Sequence, residues 1–346
     1  MDNIQVIISR TGMGGVQLRT KRLYRSLKNH IGLSAEISLK QRNAGDGYLS
    51  FLLEVLKEKE VKLNITVFGR DALMLSLIAF LLKKSIRLYH IQAVPIELPA
   101  TNPLKNLVRR LGCKILVRVS QKVICVSKAI EKEFNQIGKE FSEKITCIYN
   151  PILGNDFELR RNFPNSISFK FRGALKLVSV GRISKQKNFS FLLDVVACLV
   201  SKGIDVELAI IGPGNQAELS KRIILLNLFD KVNLLGELEN PLEIVSKADV
   251  FCLCSLWEGF PSVLVESIFL GTPVVSVNCR SGPSEIITEA NGALCEVYSV
   301  QLFTDTIISV NQKRFFLSEM QASVFDLYDY VSAEKHAAEV KRCISS

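Results

Sequence analysis

The chain has 346 residues, 48% hydrophobic and 23% charged, which is enough for two domains that each bury a core and excludes a disordered chain. Its net charge of +10 sits in the first half: residues 1–150 carry 25 Lys and Arg against 12 Asp and Glu, and residues 151–346 carry 19 against 22. Nine cysteines without a C-x-x-C pair argue for reduced thiols rather than a disulfide framework or a zinc cluster.

The N-terminus opens on an apolar run, Ile4–Ile8, read as a strand with no leader before it. Gly12-Met13-Gly14-Gly15 follows, where glycines let backbone N–H groups approach a phosphate. Gln17 stands where a dinucleotide fingerprint needs its last glycine, so the residues alone leave a phosphate loop and a plain tight turn both open. Further strands are predicted at Ile65–Phe68, Ile86–His90, Val123–Val126 and Ile145–Ile148. The longest apolar stretch, Ala72–Leu82, is well short of the ~20 residues that span a bilayer. Of the three histidines, His30 and His336 read as surface residues. His90 ends a strand, where a cleft residue would stand, although a lone histidine is more often structural.

Residues 151–173 hold Pro151, Gly154, Pro164 and Gly173 without periodicity and read as a linker. A second series of strands then runs Leu175–Val180, Val206–Ile211, Val232–Leu235, Val250–Leu253 and Pro273–Val277. Most are continuously apolar, the mark of parallel strands covered on both faces. Strands alternating with helices twice over predict an α/β protein of two doubly wound, Rossmann-like domains facing a central cleft: 1–150, then 174–330, with a final helix at 331–346. In such sheets ligands bind at the C-terminal ends of the strands.

Three motifs of the second half fall at such ends. Gly181-Arg182-Ile183-Ser184-Lys185-Gln186-Lys187-Asn188 sets two cations five residues apart, suited to a diphosphate whose charge grows as it leaves, or to a basic surface loop. Leu256-Trp257-Glu258-Gly259-Phe260-Pro261-Ser262-Val263-Leu264-Val265-Glu266 places one carboxylate in a sharp turn and another about one turn into a helix that Ser262 would cap. Carboxylates accept paired hydrogen bonds from ribose and sugar hydroxyls. Ser281-Gly282-Pro283-Ser284-Glu285-Ile286-Ile287 and Asn291-Gly292-Ala293-Leu294 offer small loops with free N–H groups. No D-x-D triplet supports a divalent metal, so no metal or other cofactor is expected beyond a nucleotide-sugar co-substrate.

In order and spacing these motifs resemble the family-four retaining glycosyltransferases of the GT-B fold, with Val126-Ser127-Lys128 and Tyr149-Asn150-Pro151 as supporting pieces. The resemblance implies that Arg182 and Lys187 hold the donor diphosphate and that Glu266 binds the ribose. It implies that Glu258, Gly259 and Phe260 meet the donor sugar, with Pro261, Ser262, Leu264 and Val265 completing the donor site. It implies that Gly14 and Gly15 approach the phosphates from the first domain, that His90, with Glu258, stands at the reacting sugar, and that the final helix, 331–346, can cross back to the first domain. The implied reaction moves a hexose or N-acetylhexosamine from a nucleotide-sugar, a UDP-sugar first, to a glycan acceptor with retention. The basic first half, with Lys83/Lys84 and Arg109/Arg110 bordering apolar runs, suits a lipid-linked diphosphate acceptor at the cytoplasmic face of the inner membrane. That setting favours bacterial surface polysaccharide assembly, such as O-antigen or lipopolysaccharide. Two other readings remain open on the residues: a sugar-nucleotide epimerase, and a non-enzymatic basic protein at a membrane surface. A nucleic-acid partner is not expected, because basic and aromatic residues are not interleaved.

Overall fold

A computed structural model describes residues 2–8, 20–21, 23–25, 27–29, 35–43, 45–58, 61–67, 69–99, 102–150, 152–153, 157, 169–324 and 329–345. Gly14, Gly15, Gln17 and His30 lie outside them. The chain forms two compact units, Met1–Ile152 with Leu327–Ser346, and Leu153–Asp326.

Among the described residues the first unit holds a six-stranded parallel sheet in the order β2-β1-β3-β4-β5-β6. The strands are β1 (Asp2–Ile8), β2 (Ala35–Gln41), β3 (Val61–Thr66), β4 (Leu88–Gln92), β5 (Lys122–Cys125) and β6 (Ile145–Cys147). Between them run α1 (Tyr48–Lys57), α2 (Gly69–Leu81), α3 (Pro103–Val119) and α4 (Lys128–Ile137). Phe51, Leu52, Val55 and Leu56 of α1 pack with Leu75, Ile78 and Ala79 of α2 against Ile7. This is the apolar side of each helix closing over a strand buried on both faces. Ser127 caps α4, its Oγ accepting from the Ile130 N–H at 3.3 Å.

The second unit holds another six-stranded parallel sheet, in the order β12-β11-β10-β7-β8-β9. Its strands are β7 (Leu175–Val180), β8 (Val206–Ile211), β9 (Val232–Gly236), β10 (Val250–Leu253), β11 (Val274–Val277) and β12 (Gly292–Cys295). Its helices are α5 (Phe189–Ser201), α6 (Ala217–Leu225), α7 (Leu242–Val245), α8 (Ser262–Phe269), α9 (Pro283–Ile286), α10 (Val300–Gln312) and α11 (Leu317–Ser323). Leu192, Leu193 and Val196 of α5 and Phe303 and Ile307 of α10 bury against Leu208, Ile210 and Val275. Here β7 continues to β8 on one side and β10 to β11 on the other, so the β7/β10 junction is the switch point where an open parallel sheet holds ligands.

α12 (Asp329–Ser345) belongs to the first unit. It meets that sheet through Lys122–Glu339 at 3.1 Å and an Arg87 Nη1 bond to the Cys343 carbonyl at 3.2 Å. His336 is not a surface residue: it is buried, with its Nδ1 2.8 Å from the Tyr89 hydroxyl, because the helix turns that face onto β4.

Candidate functional site

The site grows from the ends of β7, β8, β10 and β11. Past β7, Gly181 donates its N–H to the Ile211 carbonyl at 2.8 Å, and the Lys187 stem lies across it. A Cβ on Gly181 would stand 2.7 Å from Lys187 Cε. Gly212, at φ +144°, passes so close that its Cβ would lie 2.1 Å from the Gly181 carbonyl oxygen. The two glycines let the turns after β7 and β8 touch backbone to backbone, and the Ile183 N–H donates to the Pro213 carbonyl at 2.8 Å. The loop closes in a single 3₁₀ turn, Lys185–Lys187, and Asn188 in the left-handed region leads into α5.

Three bonds join this loop to the one after β10. The Leu256 N–H donates to the Gln186 carbonyl at 2.7 Å, Gln186 Nε2 donates to the Trp257 carbonyl at 2.9 Å, and Lys187 Nζ donates to Glu258 Oε1 at 2.7 Å. Lys187 and Glu258 keep only 16% and 8% of their side chains exposed. Such a pair is held by its own Coulomb attraction against the cost of desolvating both ends.

The loop after β11 braces the same turn from the other side. Ser281 Oγ donates to the Glu258 carbonyl at 2.5 Å, the Glu258 N–H reaches the Arg280 carbonyl at 3.3 Å, and Trp257 bridges Arg280 in parallel. Gly282, at φ +96°, leaves no room for a side chain, since a Cβ would lie 2.4 Å from Pro261 Cδ. Tyr298 donates its hydroxyl to the Ser255 carbonyl at 2.6 Å and sets its ring edge-on to Phe191. Burial pushes the Cys279 thiol beneath this loop up to about 12, the Glu258 charge adding to the effect, so it stays protonated.

Thus Lys187 and Glu258 touch. Arg182 stands exposed on the same loop, and among the described residues its side chain makes no hydrogen bond or ion pair. Glu266 lies in α8 with 7% of its surface exposed. Phe260, Leu264 and Val265 are wholly buried and form the packing under the loop rather than groups on its surface. Gly259 and Ser262 are half-buried. Ser262 does not cap α8: Pro261 holds that position at φ −76°, its ring fixing the turn a capping serine would make, and no side chain caps the helix. Asn291–Leu294 is not a ligand loop either. Gly292–Leu294 lie in β12, and Asn291 turns inward, accepting from the Thr288 N–H and donating to the Ile286 carbonyl.

A pocket of about 560 Å³ opens beside the β7 loop, lined by Ile183, Ser184, Lys185, Asn188, Asn215 and Glu218 among others. Arg182, Lys187, Glu258 and Glu266 do not line it, so it adjoins the charged pair rather than enclosing it.

In the first unit His90 has no exposed surface. Gln92 Nε2 donates to the Val94 carbonyl at 2.6 Å, which leaves Gln92 Oε1 to accept from His90 Nε2 at 3.0 Å. His90 Nδ1 then accepts from the Thr66 hydroxyl at 3.0 Å. Burial holds its pKa down to about 4 and outweighs the opposing bond to Gln92, so the ring is neutral at pH 7. Position at a strand end signalled a residue open to ligand; the structure shows both ring nitrogens satisfied inside the unit.

The sequence pattern assigns no role to Gly212-Pro213-Gly214 or Tyr298, and none to Gln186 within its motif. The Gly-Pro-Gly punctuation directly after β8 is the signal that would have marked the first. Among the described residues no group of three or more His, Cys, Asp or Glu is placed to hold a metal. Nor is any helix long and apolar enough to cross a membrane.

Two parallel sheets of this topology define the fold as that of the GT-B glycosyltransferases. The structure of Anabaena HepE in complex with UDP and glucose superposes with a TM-score of 0.74 at 19% identity, covering 98% of this chain and 99% of that one. Residues 165–323, nearly all of the second unit, match the family Glycosyl transferases group 1. An uncharacterized glycosyltransferase of Methanocaldococcus jannaschii is 25% identical over 239 residues, 66% of this chain and 59% of that protein. The N-acetylgalactosamine-N,N'-diacetylbacillosaminyl-diphospho-undecaprenol 4-alpha-N-acetylgalactosaminyltransferase of Campylobacter jejuni is 30% identical over 198 residues, 57% of this chain and 52% of that protein. The chain therefore spans between half and three-fifths of the length of these two relatives.

Proposed function

We propose that this protein is a retaining glycosyltransferase that moves a hexose or N-acetylhexosamine from a UDP-sugar to a lipid-linked glycan acceptor in bacterial surface polysaccharide assembly, working at the cytoplasmic face of the inner membrane. The observation that carries the reading is the Lys187–Glu258 contact at the switch point, with Arg182 exposed on the same loop and without a partner among the described residues. A cation aimed outward and a cation–carboxylate pair beside it match the two ends of a nucleotide-sugar, an anionic diphosphate and a ring of hydroxyls. The match to group 1, the UDP and glucose bound to HepE, and the diphospho-undecaprenol substrate in the name of the Campylobacter relative support it.

Arg182 and Lys187 hold the diphosphate, Glu266 the ribose, and Glu258 with the Gly259 backbone the sugar. Gly14 and Gly15 approach the phosphates from the first unit. As the bond from the anomeric carbon to the diphosphate breaks, its electron pair leaves with the phosphate and the two cations take up the charge. The acceptor hydroxyl adds to the same face and passes its proton to the departing phosphate. No protein base is needed, and a buried, neutral His90 is given no direct part. Charge neutralisation by two side chains predicts nucleotide binding without a divalent metal.

The test is a thermal-shift screen with UDP-, GDP- and ADP-sugars in the presence of a chelator. Stabilisation by one UDP-sugar, lost in Glu266→Ala, is expected. No stabilisation by any of them overturns the reading.

A further inference from the structure

We propose that the outward faces of α2 and α3 form a docking surface for an anionic lipid bilayer. Only Leu116 and Val117 are buried among the 17 residues of α3, although the helix is rich in aliphatic side chains. Leu104, Leu107, Val108, Leu111 and Ile115 are all more than half exposed. Their spacing of i, i+3, i+4, i+7 and i+11 puts them on one stripe, turned away from the side that carries Leu116 and Val117. A helix with an apolar stripe toward solvent has not found its partner within its own unit.

α2 extends the stripe. A Cβ on Gly69 would lie 3.3 Å from a Leu116 methyl, and one on Gly112 3.7 Å from a Leu73 methyl, so the two helices pack antiparallel. That register sets the end of α2 alongside the start of α3. Leu77, Phe80, Leu81 and Leu82 are exposed there, Phe80 at 78%.

Charge selects the partner. α3 contains five basic residues and no acidic one. Arg110, Lys114 and Arg118, four apart, run along one edge of the stripe, and Lys105 flanks the other. Lys83 adds an exposed cation past α2. The facing acids, Glu97 and Glu140, reach Arg110 and Arg118 only at 3.9 and 4.0 Å. Two of the cations that border these apolar runs are committed inward: Arg109 donates to the Pro95 and Ile96 carbonyls, and Lys84 to that of Leu56. An apolar stripe rimmed by Lys and Arg lies flat in the headgroup region, with cations drawn to anionic lipid. A second copy of this face would bring the same cations together, which disfavours self-association. The surface deepens the lipid-linked-acceptor reading without needing it, since lipid binding is measured with no donor or acceptor present.

The experiment sediments the full chain with vesicles of phosphatidylglycerol and phosphatidylcholine, and with pure phosphatidylcholine vesicles. Binding to the anionic vesicles is expected, with loss of at least roughly tenfold on pure phosphatidylcholine. Leu107→Asp/Leu111→Asp is expected to lose at least roughly tenfold on anionic vesicles, with an unchanged melting temperature because both sites are exposed. Arg110→Glu/Lys114→Glu, which alters no apolar residue, is expected to lose a comparable factor on the anionic vesicles. The proposal is overturned if the parent ignores anionic vesicles or if both variants bind them as the parent does. It is also overturned if the parent is a lipid-free dimer that Leu107→Asp/Leu111→Asp turns into a monomer.

Discussion

Breaking the Lys187–Glu258 pair tests whether the site is set before ligand arrives. Glu258→Gln removes one charge at nearly constant shape, and Lys187→Met keeps an apolar stem over Gly181. Either leaves the partner's charge mostly buried and unpaired, which costs about 3–5 kcal/mol in protein interiors. Lys187 retains 16% exposure, so the lower end applies, about 3 kcal/mol per single variant. The double variant has no stranded charge and should cost no more than either single, about 3 kcal/mol where independent changes would cost about 6, a coupling of about 3 kcal/mol. The chain has one tryptophan, Trp257, whose carbonyl accepts from Gln186 in this very loop. Urea unfolding followed by its fluorescence therefore reports the second unit alone. Single variants that lose under about 1 kcal/mol, with coupling below about 0.5, would refute the claim that this pair fixes the two loops.

Arg182→Ala should leave stability within about 0.5 kcal/mol, since the exposed side chain has no described partner, while UDP affinity falls by roughly tenfold or more; equal UDP affinity by calorimetry removes Arg182 from the diphosphate site. Gly282→Ala should destabilise the second unit by about 2 kcal/mol or more, because φ +96° and the 2.4 Å approach to Pro261 Cδ both oppose a Cβ; an unchanged urea midpoint counts against that turn. Burial holds the folded pKa values of His90 and His336 down to about 4 and about 3, below an ordinary 6.5. The unfolded chain therefore binds more protons as pH falls through 6.5, and stability drops with it. Between pH 7.5 and 5 each histidine contributes about 2 kcal/mol of loss, so His336→Gln should roughly halve the combined effect seen by circular dichroism.

The sheet interiors were legible because strands buried on both faces are written as apolar runs. Leu175–Val180, Val206–Ile211 and Val250–Leu253 have the bounds expected of them. The two strands missed, β2 and β12, are edge strands. Ala35–Gln41 alternates because only one side of it is buried, and Gly292–Cys295 is short and opens on a glycine that lets it approach β11. At the site, charge pattern and glycine spacing singled out Lys187 and Glu258, but not that they would bond to each other. That contact depends on β7 and β10 being neighbours while far apart in sequence, which local spacing does not encode. The burial of His336 escaped for the same reason, since it packs on Tyr89, 247 residues away in sequence.

The pairing also bears on the order in which a donor is read. On the proposed function, Lys187 cannot give its full charge to a diphosphate while Glu258 shares it, so Arg182 would meet UDP first. A sugar hydroxyl donating to Glu258 would compete for that carboxylate and release Lys187 toward the phosphates. On the proposed reading, then, the sugar strengthens the grip on the leaving group. Glu258→Gln should separate the two effects. With Lys187 permanently released, UDP alone should bind the variant at least as tightly as the parent. The extra affinity of UDP-sugar over UDP should shrink, and transfer should fall by roughly a hundredfold as the sugar loses its carboxylate. Calorimetry with UDP and with UDP-sugar on both proteins decides it. If Glu258→Gln weakens UDP and UDP-sugar by the same factor, the carboxylate acts only by holding the loop, and the sugar has no part in freeing Lys187.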